Sequence, residues 1–550
     1  MVFVAGLIGI IVFYLAILGV GIWASRKAKN NSEEELMLAG KSLGFVVGTL
    51  TLVATWVGGG YINGASEVMF TRGLLWAQVP VGYSLALLAG ALLFVKPMRD
   101  ANCITLLDPF QRKYGNTIGA FLFIPCILGD LFWVGSILNA LGSSLVVITE
   151  LSPIMSIVLS VIFVASYTSI GAMYSVTYTD VVQLFLILFG LVLSVPFVAR
   201  NEYINNDKLN QVDWVGSIAP LDLGEWIDTM LLLIFGGIPW QGYMQRILAI
   251  RNTKTAQYLS MISTFGCAIM SVPSAYIGVV ARAVNWDEVP TFHRNVTSMD
   301  GSDILPIVLR HLTPAAIGFF GLGAISAAVM SSADSSVLSF SAMFSRNLYK
   351  NLIRKKASSK EIVWVLRITI LCISVLSAII ALTVPSVYYL SVLSSDLIYV
   401  ILFPQLLLVV HWNNFVNSYG CIFSYLVGGT LRILGGEHAL GLPTVIKYPN
   451  YDHVKNRQKF PHRTFAMLCS LAAHILISSI THVLFIKKIV PIKYDFLHCF
   501  EEEEKTNPSS VSLTNLTRDD KKKNKKIIKT QKEFRNGSTT AFDDPAGTSK

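Results

Sequence analysis

Residues 54–64, Ala-Thr-Trp-Val-Gly-Gly-Gly-Tyr-Ile-Asn-Gly (ATWVGGGYING), interrupt an apolar run that is otherwise long enough to cross a bilayer as one helix. Glycines stand at 58, 59, 60 and 64, with Trp56 before them and Tyr61 among them. Unwound backbone in lipid leaves each unpaired N–H or C=O without water, so a break of this kind survives only where protein covers it or it lines a cavity. A second interruption, Phe235-Gly-Gly-Ile-Pro-Trp240, puts glycines and a proline inside a later run, again beside a tryptophan.

Around these breaks the chain reads as a membrane protein. Of its 550 residues 53% are hydrophobic and only 14% charged, against roughly 25% charged in soluble domains. Thirteen apolar runs, each near the ~20 residues of a spanning helix, cover 3–24, 43–64, 73–95, 116–148, 153–173, 178–199, 226–249, 255–281, 312–348, 361–384, 387–410, 416–435 and 463–486. The breaks fall in the second and seventh runs. Because that separation is an odd number of crossings, the second copy enters the membrane the opposite way up. The pattern predicts an all-α polytopic protein with inverted five-helix repeats over about 43–199 and 226–410, inside a transporter domain of residues 1–486. Paired glycine- or proline-interrupted runs mark where transporters of this build hold substrate; the alternative is that the glycines serve only close helix packing.

The first run is not followed by a small-residue cleavage site, so it is expected to stay in the mature chain. Every second loop is basic, with Arg26 and Lys27, Lys96 and Arg99, Arg246 and Arg251, Arg346 to Lys360, and Lys487 and Lys488. This excess predicts the N-terminus outside and the C-terminus inside. The sequon at Asn295 then lies in an outward loop, open to glycosylation. Residues 487–550, with acidic Glu501–Glu504 and basic Lys521–Lys526 blocks, read as a cytoplasmic disordered tail. The net charge of +10 reports orientation and points away from a nucleic-acid partner. The seven cysteines show neither a metal spacing nor a disulfide framework.

Trp56, Trp133 and Trp240 lie inside apolar runs, away from the interfacial belt where Trp23, Trp214, Trp226, Trp286 and Trp412 are expected. With Tyr61 and Tyr83 they could surround a quaternary ammonium, which donates no hydrogen bond and is held by cation–π attraction. The same rings suit a sugar face or a filled core, and the residues alone leave this open. Asp334, in Met330-Ser-Ser-Ala-Asp-Ser-Ser336, is followed by Ser335, Ser339 and Ser341. Hard oxygens of this kind, with carbonyls freed at Ala54 and Val57, suit Na⁺; the alternative is a protonated aspartate bonded to serines. Asp130, Asp180, Asp228 and Asp396 read as partners at helix ends or between helices. No nucleophile–base pair, phosphate loop or metal cluster stands out, which argues against an enzyme.

Taken with TLLDPFQRKYG, YSVTYTDVVQLF, GGIPWQGYMQR, FFGLGAISAAVMSSADSS and LSSDLIYVILFPQLL, the chain from about Gly6 to Phe485 resembles the high-affinity choline-transporting branch of the sodium/solute symporter family. The resemblance implies a LeuT-type five-plus-five core within thirteen helices, Na⁺- and Cl⁻-dependent choline uptake with no cofactor, and a plasma-membrane location at presynaptic terminals and synaptic vesicles, supplying acetylcholine synthesis. It implies a choline cage of Trp56, Tyr83, Trp133 and Trp240, and a sodium site of Asp334, the serines after it and the carbonyls of Ala54 and Val57. Ser391 stands where the resemblance expects a further cage tryptophan, Ala342 where it expects a hydroxyl, and Asp130 where it expects glutamate. The acidic dileucine signal of relatives is missing from the tail. The runner-up readings are Na⁺-coupled uptake of another organic solute, and a sensor or channel that keeps the fold without transport.

Overall fold

The computed structural model describes residues 3–26, 37–168, 173–292, 296–437 and 440–500. Asn295 and residues 501–550, which carry the expected glycosylation site and most of the tail, lie outside the described residues. Among those described, regular structure is helical, with only isolated bridges such as Leu43 to Ile250. The helices that position the site are α1 (Val4–Ser25), α2 (Phe45–Trp56), α3 (Gly59–Thr71), α4 (Gln78–Leu93), α5 (Asp108–Phe121), α6 (Phe123–Thr149), α7 (Pro153–Thr168) and α8 (Met173–Ala199). They continue with α9 (Leu223–Gly236), α10 (Gln241–Ala249), α11 (Thr253–Ala281), α12 (Ile304–His311), α13 (Ala315–Met343), α14 (Ser359–Thr383), α15 (Val387–Ser394), α16 (Phe403–His411), α17 (Ser418–Leu434) and α18 (His462–Ile486).

Eight helices among the described residues are long and apolar enough to cross a membrane, and α2 with α3, bent by 51° at the break, pass the same test as a pair. The remaining expected spans coincide with shorter or broken helices, namely α4, α7, the pair α9 and α10, and α17. Burial orders them. The most apolar windows of α6 and of the stretch from Val387 to His411 are 89% buried, against 33% for α1 and α14 and 22% for α18. α6 and the stretch from Val387 to His411 therefore sit inside, and much of α1, α14 and α18 faces outward.

Several boundaries differ from the sequence reading. The fourth run, expected from residue 116, is divided: α5 kinks at Gly115, where φ is 82°, residues 116–121 form its last part, and α6 begins at Phe123. The ninth run does not stop at 348; α13 passes into a π-helix over Phe344–Ile353. The eleventh run is interrupted by a π-turn at Ile398–Leu402, just before Pro404, whose missing N–H cannot continue the α pattern. Arg246, counted above as a cytoplasmic-loop charge, is wholly buried on α10. Trp286, assigned to the interface, is 5% exposed and donates its indole N–H to Ala281 O at 3.0 Å.

The acidic residues expected between helices are found there. Asp228 on α9 accepts from Thr464 N and Oγ1, both at 2.6 Å, and so supplies acceptors to the first turn of α18. Asp396 takes Arg432 Nε at 2.8 Å on each oxygen. From His482 the chain forms a second, small unit. In it a turn at Ile492–Tyr494 lets Phe500 stack on Phe485, centroids 5.0 Å apart, so order extends past the expected start of the tail at 487.

The glycines of the first break are close-approach residues. A Cβ on Gly58 would overlap Ser332 Oγ and Cβ of α13; one on Gly60 would lie 2.5 Å from Ser136 Oγ of α6, and one on Gly64 3.3 Å from Tyr388 Cα of α15. The bare backbone thus wedges α3 between three helices. Gly58→Ala is expected to lower the melting midpoint of the detergent-solubilised protein, since overpacking costs about 1–3 kcal/mol. Adding Ser332→Gly should recover part of that loss. A melting curve unchanged by Gly58→Ala would refute this packing.

Candidate functional site

The first break separates α2 from α3. Val57 and Gly58 leave the helical path, at φ −82°, ψ 70° and φ −101°, ψ −177°. In a continuous helix the carbonyl of Ala54 would accept from Gly58 N and that of Val57 from Tyr61 N. Here Gly58 N bonds Trp56 O at 2.9 Å and Tyr61 N bonds Gly58 O at 3.0 Å. The carbonyls of Ala54 and Val57 are thereby released from the ladder, and Ser331 Oγ of α13 donates to Ala54 O at 3.1 Å.

The second break follows Gly236. Trp240 N turns back to Ile238 O at 2.8 Å, and α10 restarts at Gln241. Gly237 lets the segment approach α4, where a Cβ would stand 2.9 Å from Ala86 Cβ and 3.2 Å from Tyr83 Cδ1. Trp240 is thus carried against the first break.

The result is a closed circuit of rings. Trp56 lies 5.0 Å from Tyr83 and 5.0 Å from Trp240, centroid to centroid, and Trp133 lies 5.8 Å from each of Tyr83 and Trp240. Most contacts are tilted or edge-on, the geometry that aromatic quadrupoles prefer. All four are buried. The cavity they bound with Gly129, Gly236, Gly237, Ser394, Ser395 and Ile398 measures about 20 Å³, room for little more than one water. Anything larger must part the rings.

Two of the rings are fixed by hydrogen bonds. Trp240 Nε1 donates to Asp130 Oδ1 at 3.0 Å. Tyr83 Oη donates to Ser391 O at 2.6 Å and lies 2.8 Å from Ser395 Oγ and 3.1 Å from Ser394 Oγ. By contrast Trp56 Nε1 and Trp133 Nε1 are buried with no hydrogen-bond acceptor among the described residues. A buried donor left unpaired costs about 1–3 kcal/mol, and such groups in a folded protein call for an explanation.

Tyr61 is not part of this circuit; its hydroxyl reaches Pro80 O at 3.1 Å and Cys267 O at 3.0 Å, tying α3 to α4 and α11. Ser391 presents its carbonyl to Tyr83, while its own hydroxyl bonds Val387 O at 3.0 Å and lies outside the cavity lining.

Three residues after Ser331 on α13, Asp334 accepts from Thr168 Oγ1 of α7 at 2.8 Å. Ser335 lies 3.3 Å from Thr55 Oγ1 and accepts from Arg246 at 2.5 Å. Ser339 bonds Ser336 O at 3.0 Å on its own helix, and Ser341 Oγ has no hydrogen-bond partner among the described residues. Eight residues separate Ser339 from Ser331, about 12 Å of helix, so the break meets Ser331, a residue absent from the expected sodium set. A second group went unrecognised in the sequence, the fully buried pair of Arg246 with Asp180 at 3.3 Å. Asp180 also accepts from Thr51 at 2.5 Å and Ser331 at 2.7 Å. Only an aspartate inside one run and an arginine near the end of another signalled it. A larger cavity of about 620 Å³ lies further along α3, lined by residues including Glu67, Trp76, Tyr388 and Arg457.

Comparison with known proteins places these features in a family. The chain is 48% identical to the high-affinity choline transporter 1 of Drosophila melanogaster, over 91% of this chain and 82% of that one. It is 45% identical to the high affinity choline transporter 1 of Homo sapiens, over 90% and 88%. Among solved structures, a Na⁺-coupled sialic acid symporter in a substrate-bound outward-open state superposes with a TM-score of 0.68 at 17% identity, covering 88% of this chain and 98% of that one. That likeness shows the fold, which is of the LeuT type. With the Sodium:solute symporter family profile matching residues 36–428 and these relatives spanning most of its length, the chain belongs to the sodium:solute symporter family, whose members are transporters.

Proposed function

We propose that this chain imports choline across the plasma membrane, driven by Na⁺. The observation that carries the reading is the closed circuit of Trp56, Tyr83, Trp133 and Trp240 at the meeting of the two breaks. Its support is chemical. A trimethylammonium group needs ring faces, each giving about 0.5–2 kcal/mol, and no carboxylate lines the cavity. Choline's hydroxyl oxygen can accept from an orphaned indole N–H of Trp56 or Trp133. The relatives in Drosophila melanogaster and Homo sapiens, both named high-affinity choline transporter 1, point to the same solute.

In this reading Na⁺ is bound by the released carbonyls of Ala54 and Val57 with Asp334 and the serines of α13, Ser331 foremost and Ser335 beside it. Ser339 and Ser341 belong to the expected set but lie further along the helix. Thirteen crossings with the N-terminus outside, two inverted repeats over about 43–199 and 226–410, and glycosylation at Asn295 complete the architecture. Moving one positive charge inward at 100 mV, inside negative, yields about 2.3 kcal/mol, so even weak coupling concentrates choline. Chloride dependence, a presynaptic location and a supply role for acetylcholine synthesis are the further parts of the proposal.

Trp240→Ala is expected to raise the KM for labelled choline roughly ten-fold or more, through loss of one ring and of the circuit's closure. Asp130 should act through Trp240: Asp130→Asn keeps an acceptor for the indole and should transport with near-normal KM, whereas Asp130→Leu should resemble Trp240→Ala. Equal KM in all three variants would remove the cage assignment. Ser331→Ala should raise the Na⁺ concentration for half-maximal uptake several-fold, about the loss of one hydrogen-bonding oxygen, with uptake recovering at high Na⁺. Choline accumulation in vesicles that is indifferent to a Na⁺ gradient would sink the symport reading itself.

A further inference from the structure

Away from the aromatic circuit, a groove of about 380 Å³ runs between α6, the end of α13 with its π-helical extension, and α14. Phe340, Phe344, Ile368, Cys372 and Leu376 give it apolar walls, and Tyr349 also lines it. Along α14 the lining runs from Val365 to Leu376, about 16 Å of helix, which is half of a ~30 Å hydrocarbon core. That is the depth of one leaflet. Ile368, 58% exposed, and Leu376, 50% exposed, open the groove to the side.

The segment joining α13 to α14 is strongly basic. Between 346 and 367 the chain carries Arg346, Lys350, Arg354, Lys355, Lys356, Lys360 and Arg367 against a single acid, Glu361. Glu361 is already taken, accepting from Tyr349 Oη and pairing with Arg354 Nε at 3.0 Å. Lys355, Lys356 and Lys360 are exposed and have no carboxylate within salt-bridge distance among the described residues. Lys360 precedes the first groove residue of α14 by five positions, about 8 Å. An exposed basic segment therefore leads into the helix that lines an apolar slot one leaflet deep.

We propose that this groove seats one acyl chain of an anionic phospholipid whose headgroup is held by Lys355, Lys356 and Lys360. The proposed topology puts this segment at the cytoplasmic leaflet, where anionic lipid is concentrated and basic clusters beside spanning helices attract it. The π-helix at Phe344–Ile353 contributes Phe344 and Tyr349 to one wall of the slot.

The test uses the full chain in nanodiscs of phosphatidylcholine with or without phosphatidylserine, read by native mass spectrometry and by melting midpoint. The wild type should retain one phosphatidylserine and melt higher in its presence. Lys355→Gln/Lys356→Gln/Lys360→Gln should weaken retention roughly hundred-fold. Cys372→Trp, which fills the slot from an exposed position and leaves the lysines intact, should abolish retention as well; Cys372→Ser should retain the lipid and so separates a filled slot from a misfolded chain. Equal retention of phosphatidylcholine would overturn the headgroup assignment. Loss in the lysine variant with full retention in Cys372→Trp would overturn the acyl seat and leave surface attraction only.

Discussion

Lipid offers no hydrogen bonds, so every interruption of a helix must be sealed by the protein around it. At Val57 and Gly58 the seal is α13. Ser331 bonds the carbonyl of Ala54, and the bare α-carbon of Gly58 lies against Ser332. The glycines at 59 and 60 admit Val329 of α13 and Ser136 of α6 to the same backbone. Much of the interior follows from this. A side chain at 58 would hold α3 away from α13, and the shift would displace Trp56, the ring shared by two of the contacts at the break.

The aromatic circuit combines two rings that are locked and two that are not. Trp240 and Tyr83 are oriented by Asp130 and by the serines at the end of α15, so each carries a satisfied polar atom and a defined face. Trp56 and Trp133 keep buried N–H groups without acceptors among the described residues. A folded protein tolerates such a deficit where a ligand, or a changed conformation, meets it. The small cavity is in accord with this division, because rings that close on one another at 5.0 Å leave space only when some of them can move.

Both breaks, the apolar runs and the rings beside the glycines were legible because each departs from what a lipid-facing helix tolerates. Glycine pairs, a proline and mid-run tryptophans are local signals. What the sequence hid depends on register between distant helices. Ser331, and not Ser339 or Ser341, meets the first break because only its turn of α13 faces Ala54, and a run with hydroxyls on every face does not announce which one. Tyr61 was a reasonable cage candidate from its place beside the glycines, yet the α3 register turns it to α4 and α11. The π-helices at Phe344–Ile353 and Ile398–Leu402 carried no signal beyond Pro404. Arg246 misled because a charge near the end of an apolar run usually marks a loop, whereas here it turns inward to Asp180.

That pair has an energetic consequence for motion. Burying two charges costs more than their attraction returns unless geometry and further hydrogen bonds compensate, and apolar replacements of such pairs are often no less stable. Compensation is partial here: Thr51 and Ser331 donate to Asp180 and Ser335 accepts from Arg246, while the buried Arg246 Nε has no acceptor among the described residues. Thr51 lies five residues before Trp56 and Arg246 six after Trp240, so the pair sits about 8 Å along each broken helix from the rings. It therefore joins α2, α8, α10 and α13 at one level beneath the circuit. Separating α10 from α8 would leave each charge unpartnered in a dry interior, at about 3–5 kcal/mol. These helices accordingly move together around the rings, or part only when water or a cation replaces the partner that each charge loses.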